Sequence, residues 1–217
     1  PSNTVACKIE PLLHLFTDAS EDAYAACIYI QDGTYTNNTS QLLISKTRRS
    51  PAKATTLPRL ELMGCVLGAK LLNQVLNAIK PEFDCNIQYY CWSDSQIALQ
   101  WINSPGLKYK PFVCNRIHDI QKITSPSNWH FCPGNQNPAD LATRKINFDT
   151  IDLKLWHHGP EWLILSPDNW RDKSIDQMKP FISDESELKP VKTLSANMHP
   201  EEGIINVESY SSLDRLI

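Results

Sequence analysis

The chain has 217 residues, 41% of them hydrophobic, and a formal net charge of −3. That length holds one domain plus a substantial appendage, and the apolar content allows a real core. The acidic sign is unpromising for a nucleic-acid binder, but it comes from the C-terminal part. Residues 1–150 carry 14 Lys+Arg against 12 Asp+Glu, and residues 151–217 carry 7 against 12. The N-terminal part is thus mildly basic, which permits a nucleic-acid partner without demanding one.

Residues 12–18 (LLHLFTD) and 23–30 (AYAACIYI) read as strands. Asp32-Gly33 marks a turn, and the polar stretch 36–41 extends the connection to a third strand over 41–47 (QLLISKT). Three short strands in a row predict an antiparallel meander. The period then changes. Pro58 suits a helix's first turn, and Leu60, Leu67, Leu71 and Val75 recur at helical spacing to about residue 79, where Pro81 closes the run. A strand over 86–93 follows, then Asp94 and a helical SQIALQWIN. Another helix is expected from Phe112 to Ile123 and a short strand over 129–132. Asn137-Pro138 gives an N-cap followed by proline at the first helical position, opening a last helix through Arg144. The order β-β-β-α-β-α-α-β-α predicts an α/β domain: a mixed five-stranded sheet, meander plus parallel strands, flanked by helices. Its ligands belong beyond the carboxyl ends of the parallel strands.

The expected boundaries are a domain over 10–150, an aromatic-rich packing extension over 151–170 (LWHHGPEWLILSPDNW from residue 155) and an acidic linker or disordered tail over 171–217, where Phe181 and Tyr210 are the only aromatics. Seven cysteines, an odd number without a CxxC pair, read as buried reduced thiols in an intracellular compartment. No signal peptide and no membrane-spanning apolar run are read, so no membrane partner is expected. A chain opening on Pro1 reads as a piece of something longer. His157-His158 lack downstream cysteines, which leaves a zinc site unsupported and makes them surface residues beside Trp156.

Four carboxylates stand at informative places. Asp18 ends the first strand, Glu61 lies in the first turns of the long helix, Asp94 ends the fourth strand, and Asp140 opens the last helix. Any one alone is usually a solvated turn residue or a dipole partner. Apolar flanks make burial costly unless the acids are paired or metal-bound. Four acids facing one crevice repel one another, and divalent cations relieve that repulsion. Oxygen ligands of this kind suit Mg²⁺, with Mn²⁺ as a substitute.

FTDAS, LPRLELMG, WSDSQIALQWI and NPADLATR, in this order, resemble the four signature blocks of the ribonuclease H fold. Together with LISKTRRSPAKATTLPRLEL and LWHHGPEWL they are similar to polyproteins of BEL/Pao-type LTR retrotransposons, over roughly residues 12–170. The resemblance implies an Mg²⁺-dependent endonuclease that cuts the RNA strand of RNA–DNA hybrids during reverse transcription. Asp18, Glu61, Asp94 and Asp140 would hold two metal ions about 4 Å apart, with Asp18 bridging. It implies hybrid contacts from Ser95 and Gln96 and from the Ser20 backbone. It also implies reverse transcriptase and integrase neighbours, and work in cytoplasmic virus-like particles and the nucleus. Arg48 and Arg49, within the cluster Lys46, Arg48, Arg49, Lys53 and Arg59, divide about evenly between a nucleic-acid groove and a solvated loop. Arg144 divides between a phosphate contact and a local salt bridge.

Two departures from the ribonuclease H pattern stand out. The loop before the last acid, CPGNQNP, has Asn135 or Gln136 where many relatives carry histidine, which implies slower turnover, with Asn135 expected among the nucleic-acid contacts. The basic handle of some members is reduced to SPGLKYKP, with Lys108 and Lys110, which implies a weak independent grip on the hybrid. Two other functions compete. One is a catalytically silent tether between polymerase and integrase, since fold does not fix function. The other is a Pao-type aspartic peptidase, which the chemistry disfavours: Asp18 is followed by Ala-Ser-Glu, and the glycine of such a loop is missing.

Overall fold

The computed structural model describes residues 11–32, 39–82, 87–144, 152–165, 170 and 185–190. β1 (Pro11–Ala19), β2 (Ala23–Asp32) and β3 (Ser40–Arg49) form the antiparallel meander. After α1 (Leu57–Ile79), β4 (Gln88–Ser93) returns parallel to β1. α2 (Gln96–Ile102) and α3 (Pro111–Gln121) lead to β5 (Trp129–Phe131), parallel to β4. The sheet order is β3-β2-β1-β4-β5, the mixed five-stranded arrangement expected from the pattern.

β1 lies at the centre, and its first eight residues are all buried, because both faces of the sheet are covered. Side chains alternate between the two faces. Leu13, Leu15 and Ile28 pack with Leu62 and Leu72 of α1 and with Val113 and Ile117 of α3. Leu12, Phe16, Tyr29 and Trp92 pack against Trp162 and Trp170 on the other face. The extension that supplies these tryptophans contains α4 (Leu153–His158), which Gly159 ends at φ 72°, the left-handed conformation glycine tolerates. The Tyr29 hydroxyl donates to the Trp156 carbonyl at 2.7 Å and ties the extension to β2. His157 and His158 are exposed, as expected. The described cysteines are free thiols: Cys27, Cys65, Cys91 and Cys132 are buried, and Cys114 is half-buried.

Two expectations change. Residues 138–144 are not an α-helix but a 3₁₀ turn, Pro138–Ala142. The Thr143 amide bonds the Asp140 carbonyl in the i→i+3 pattern, and tertiary bonds from Asn137 and Thr143 hold both ends before a second turn forms. Second, α1 is long and apolar enough, by length and composition, to cross a membrane. Half of that stretch is buried, packed on β1, β2 and α3 as a core helix. The connection through residues 33–38 and most of 171–217 lie outside the described residues. Within the latter stretch, residues 185–190 are described and pack on the domain.

Candidate active site

The parallel pairing of β1 and β4 places Thr17 opposite Ser93, so Asp18 and Asp94 come next to each other at the carboxyl ends of neighbouring strands. Glu61 is brought to them by the close approach of α1. A Cβ on Gly64 would lie 3.0 Å from the Asp18 carbonyl oxygen, and one on Gly68 would lie 2.6 Å from Thr17 Cγ2. These glycines share the face of Glu61 at helical spacing and let the helix backbone settle onto β1. Asp140 arrives on the 3₁₀ turn. Asn137 pins that turn to the strand: its Nδ2 donates to the Thr17 carbonyl at 3.0 Å, and its Oδ1 accepts from the Ala139 amide at 3.1 Å.

The four acids feel one another. Burial raises the Asp18 carboxyl to about 7; Thr143 opposes this, and the charges of Asp94 and Asp140 add to it. Burial, then the Asp94 charge, raises Glu61, against a hydrogen bond from Ser95. Asp94 is raised by burial and by Asp140, with Asn137 and Arg144 opposing. In the other three carboxylates a side chain of the same chain holds one oxygen. The Thr143 hydroxyl donates to Asp18 Oδ2, and the Ser95 hydroxyl donates to Glu61 Oε2. Arg144 Nε donates to Asp140 Oδ1 at 2.6 Å. Asp94 Oδ1 is buried with no hydrogen-bond partner, and Gly134 crowds the other oxygen: a Cβ there would stand 2.9 Å from Oδ2.

Among the described residues no group of three or more His, Cys, Asp and Glu is arranged to hold a metal ion as it stands. The chemistry of the donors nevertheless fits a hard divalent cation. They are all carboxylate oxygens, crowded enough to repel one another, and one of them is a buried orphan.

The residues expected to meet nucleic acid separate into two groups. Ser95 caps α2, accepting from the Ala98 amide at 3.1 Å while it holds Glu61. Ser20 donates to the Thr143 carbonyl at 2.9 Å, so both hydroxyls serve the site's architecture. Arg144 makes the local salt bridge. Gln96 begins α2 beside Asp94. Asn135 borders a cavity of about 430 Å³ between the 134–136 loop and the extension. Arg48 and Arg49 lie on the exposed edge strand β3, and Arg48 lines a groove with Lys46, Lys70 and Arg116. His130 packs between Tyr90 and Trp92 in the aromatic layer.

Several partners of the acids escaped the sequence reading. Thr143 stands three residues after Asp140, a spacing that returns its hydroxyl toward the same crevice. Gly134 is visible as a glycine in the loop, but its contact with Asp94 is not local. The Arg59–Glu187 ion pair joins residues 128 apart and leaves no mark in the pattern.

This sheet order and register, with acids at the carboxyl ends of the two central parallel strands, define a ribonuclease H-like fold. Residues 4–95 match the family model described as Pao retrotransposon-like RNaseH-like domain. That stretch carries Asp18, Glu61 and Asp94; Asp140 lies beyond it. Among solved structures, the N-terminal RNase H domain of Rv2228c from Mycobacterium tuberculosis, fused to maltose-binding protein, is similar at 10% identity, over 59% of this chain and 86% of that one, with a TM-score of 0.38. LC11-RNase H1 in complex with an RNA/DNA hybrid is similar at 12% identity, over 58% and 88%, with a TM-score of 0.41. A second structure of LC11-RNase H1, isolated from compost by a metagenomic approach, is similar at 12% identity, over 57% and 83%, with a TM-score of 0.37. No curated protein matches the chain.

Proposed function

We propose that this domain is an endonuclease that hydrolyses the RNA strand of RNA–DNA hybrids, working inside the cell beside the reverse transcriptase and integrase of its element. The observation that carries this reading is the state of the acids. Three carboxyls are raised by burial and mutual repulsion, and Asp94 keeps a buried oxygen without a partner. Such an arrangement is destabilising by itself and favourable around divalent cations.

Asp18, Glu61, Asp94 and Asp140 would hold two Mg²⁺ or Mn²⁺ ions. Bound there, the ions would activate the attacking water and stabilise the leaving oxygen of an in-line phosphodiester displacement. The protein's own groups set the stage. Thr143 orients Asp18, Ser95 orients Glu61, and Asn137 ties the turn carrying Asp140 to β1. Fixing carboxylates in this way removes reorganisation from the reaction. The exposed cations Arg48 and Arg49 would take up backbone phosphates, and Gln96 would face the duplex beside Asp94.

A silent tether is the second reading. It is favoured by the partners that Asp18, Glu61 and Asp140 already have within the chain. Incubating the chain with labelled hybrid, with and without Mg²⁺ or Mn²⁺, separates the two. Metal-dependent loss of RNA alone, abolished by Asp94→Asn, is the result expected of the nuclease. Intact RNA at high protein concentration with either metal and with the polymerase domain added is the result expected of the tether.

A further inference from the structure

The segment Glu185–Pro190 is held against the junction that leads into α3. The Lys110 amide donates to the Glu187 carbonyl at 2.8 Å, and the Lys189 amide donates to the Lys108 carbonyl at 2.9 Å. Leu188 bridges Tyr109 in antiparallel fashion and packs on the helix-side core. Lys110 Nζ donates to the Ser186 carbonyl at 2.6 Å. The Glu187 carboxylate receives both arms of Arg59, from Nε at 2.6 Å and from Nη2 at 3.1 Å, and the residue is only 3% exposed.

The place where this carboxylate sits matters more than the bond. Arg59 is two residues before Glu61, in the first turn of α1. Its guanidinium lies 4.7 Å from the Phe112 ring centre, and that of Arg116 lies 3.4 Å from the same ring. Lys108 and Lys110 flank the junction. Arg59 and Arg116 thus meet at Phe112, where α3 begins, Lys108 and Lys110 stand on the adjoining junction, and the segment lays its carboxylate on Arg59. Like charges held this close favour an anion, and a two-armed arginine accepts a phosphodiester as readily as a carboxylate. The segment itself comes from the acidic part of the chain.

We propose that Arg59, Lys108, Lys110 and Arg116 form a surface for the sugar–phosphate backbone of a nucleic-acid duplex, and that Glu187 occupies it as an internal stand-in for a phosphate. Binding of the duplex displaces residues 185–190, so the segment holds down affinity beside the acids until a longer duplex engages both. This rests on the nucleic-acid reading above, but not on catalysis.

The test is hybrid binding by the full chain in EDTA, read by fluorescence anisotropy across a salt series. Glu187→Gln is expected to tighten binding by roughly 3- to 30-fold, with a log–log salt dependence steeper by about 0.9 for each further phosphate that the cations neutralise. Arg59→Ala in the Glu187→Gln background is expected to remove the gain. Glu161→Gln removes the same charge from an exposed pair with Lys154 and is expected to change affinity little. Equal affinity of wild type and Glu187→Gln, including none detectable, overturns the proposal. So does a gain that survives Arg59→Ala or that Glu161→Gln reproduces. Should Glu187→Gln fail to fold, amide exchange in the wild type decides. Deprotection of Lys110 and Lys189 on saturation with hybrid supports displacement, and unchanged protection refutes it. A chain that binds hybrid in this way yet cuts nothing with metal overturns the nuclease reading alone.

Discussion

Gly134 stands against the carboxylate of Asp94: a methyl group on its Cα would lie 2.9 Å from Oδ2. The carboxylate would have to turn aside, since its other oxygen is already buried without a partner. Gly134→Ala therefore acts on the site more than on the fold. We expect thermal stability to change little, and the Mg²⁺ concentration for half-maximal cutting to rise roughly 10- to 100-fold, as for lost support of a metal ligand. A metal titration of hybrid cleavage, beside a melting curve, checks both halves.

Thr143 acts as a positioning residue for Asp18. Its hydroxyl donates to Oδ2 and lowers the proton affinity that burial has raised. Thr143→Val keeps the volume and removes the donor, leaving a buried acceptor unsatisfied at a cost of about 1–3 kcal/mol. The proton is then held more tightly, so the acid limb of the pH–rate profile is expected to move to higher pH. Thr143→Ser, which retains the donor, is expected to leave the limb in place. A limb unmoved in Thr143→Val would mean that Asp18 does not govern it.

The pattern of the sequence carried the strands, the long helix and the four acids because each has a local signature: alternation in β1, helical spacing from Leu60 to Val75, an acid just after an apolar run. What was not legible is what tertiary contact decides. Asn137-Pro138 is a sound helix start, yet the helix stops after one 3₁₀ turn because Asn137 and Thr143 bond to β1 instead. The engagement of the Ser95 and Ser20 hydroxyls with Glu61 and the Thr143 carbonyl is likewise set by tertiary contact. The acidic C-terminal stretch reads as a linker by composition, while Glu187 finds Arg59 through a contact no periodicity encodes.

Gly68 marks how closely α1 approaches the sheet. A Cβ there would meet Thr17 Cγ2 at 2.6 Å and the two Leu15 methyl carbons at 3.0 and 3.1 Å. Alanine is favoured over glycine within a helix by about 1 kcal/mol. Overpacking against a β-branched, fully buried neighbour works the other way, by about 1–3 kcal/mol. The clash is expected to win, so Gly68→Ala should unfold at lower denaturant with an unchanged m-value. It should also weaken metal-dependent cutting, because the same displacement carries Glu61 away from Asp18. A stabilised Gly68→Ala with full activity would show that α1 has room to spare.

Two buried groups pull the metal-free stability in opposite directions as the pH changes. His14 lies in the aromatic layer, where Trp92 Nε1 donates to its Nδ1 and its Nε2–H donates to Gln31. Burial pushes its pKa down from 6.5 to about 3. Below 6.5 the unfolded chain takes up a proton that the folded one refuses, so stability falls as pH drops toward 3, by on the order of 4 kcal/mol. Asp18 is the reverse. Its folded pKa lies near 7 against 3.8, so stability falls as pH rises from about 4 to 7, by a similar order. Glu61 and Asp94 are raised and act in the same direction as Asp18. Between pH 4 and 6.5 the slopes oppose, and the wild-type chain in EDTA is expected to show a shallow profile. Asp18→Asn should lose stability on acidification more steeply than wild type, because Glu61 and Asp94 alone then oppose the histidine. His14→Gln should uncover the acids and become more stable as pH falls from 7 to 4. Mn²⁺ at pH 7 should raise the melting temperature of wild type and His14→Gln, and raise that of Asp18→Asn far less. Parallel profiles for the three chains would show that folding shifts the proton affinity of neither group.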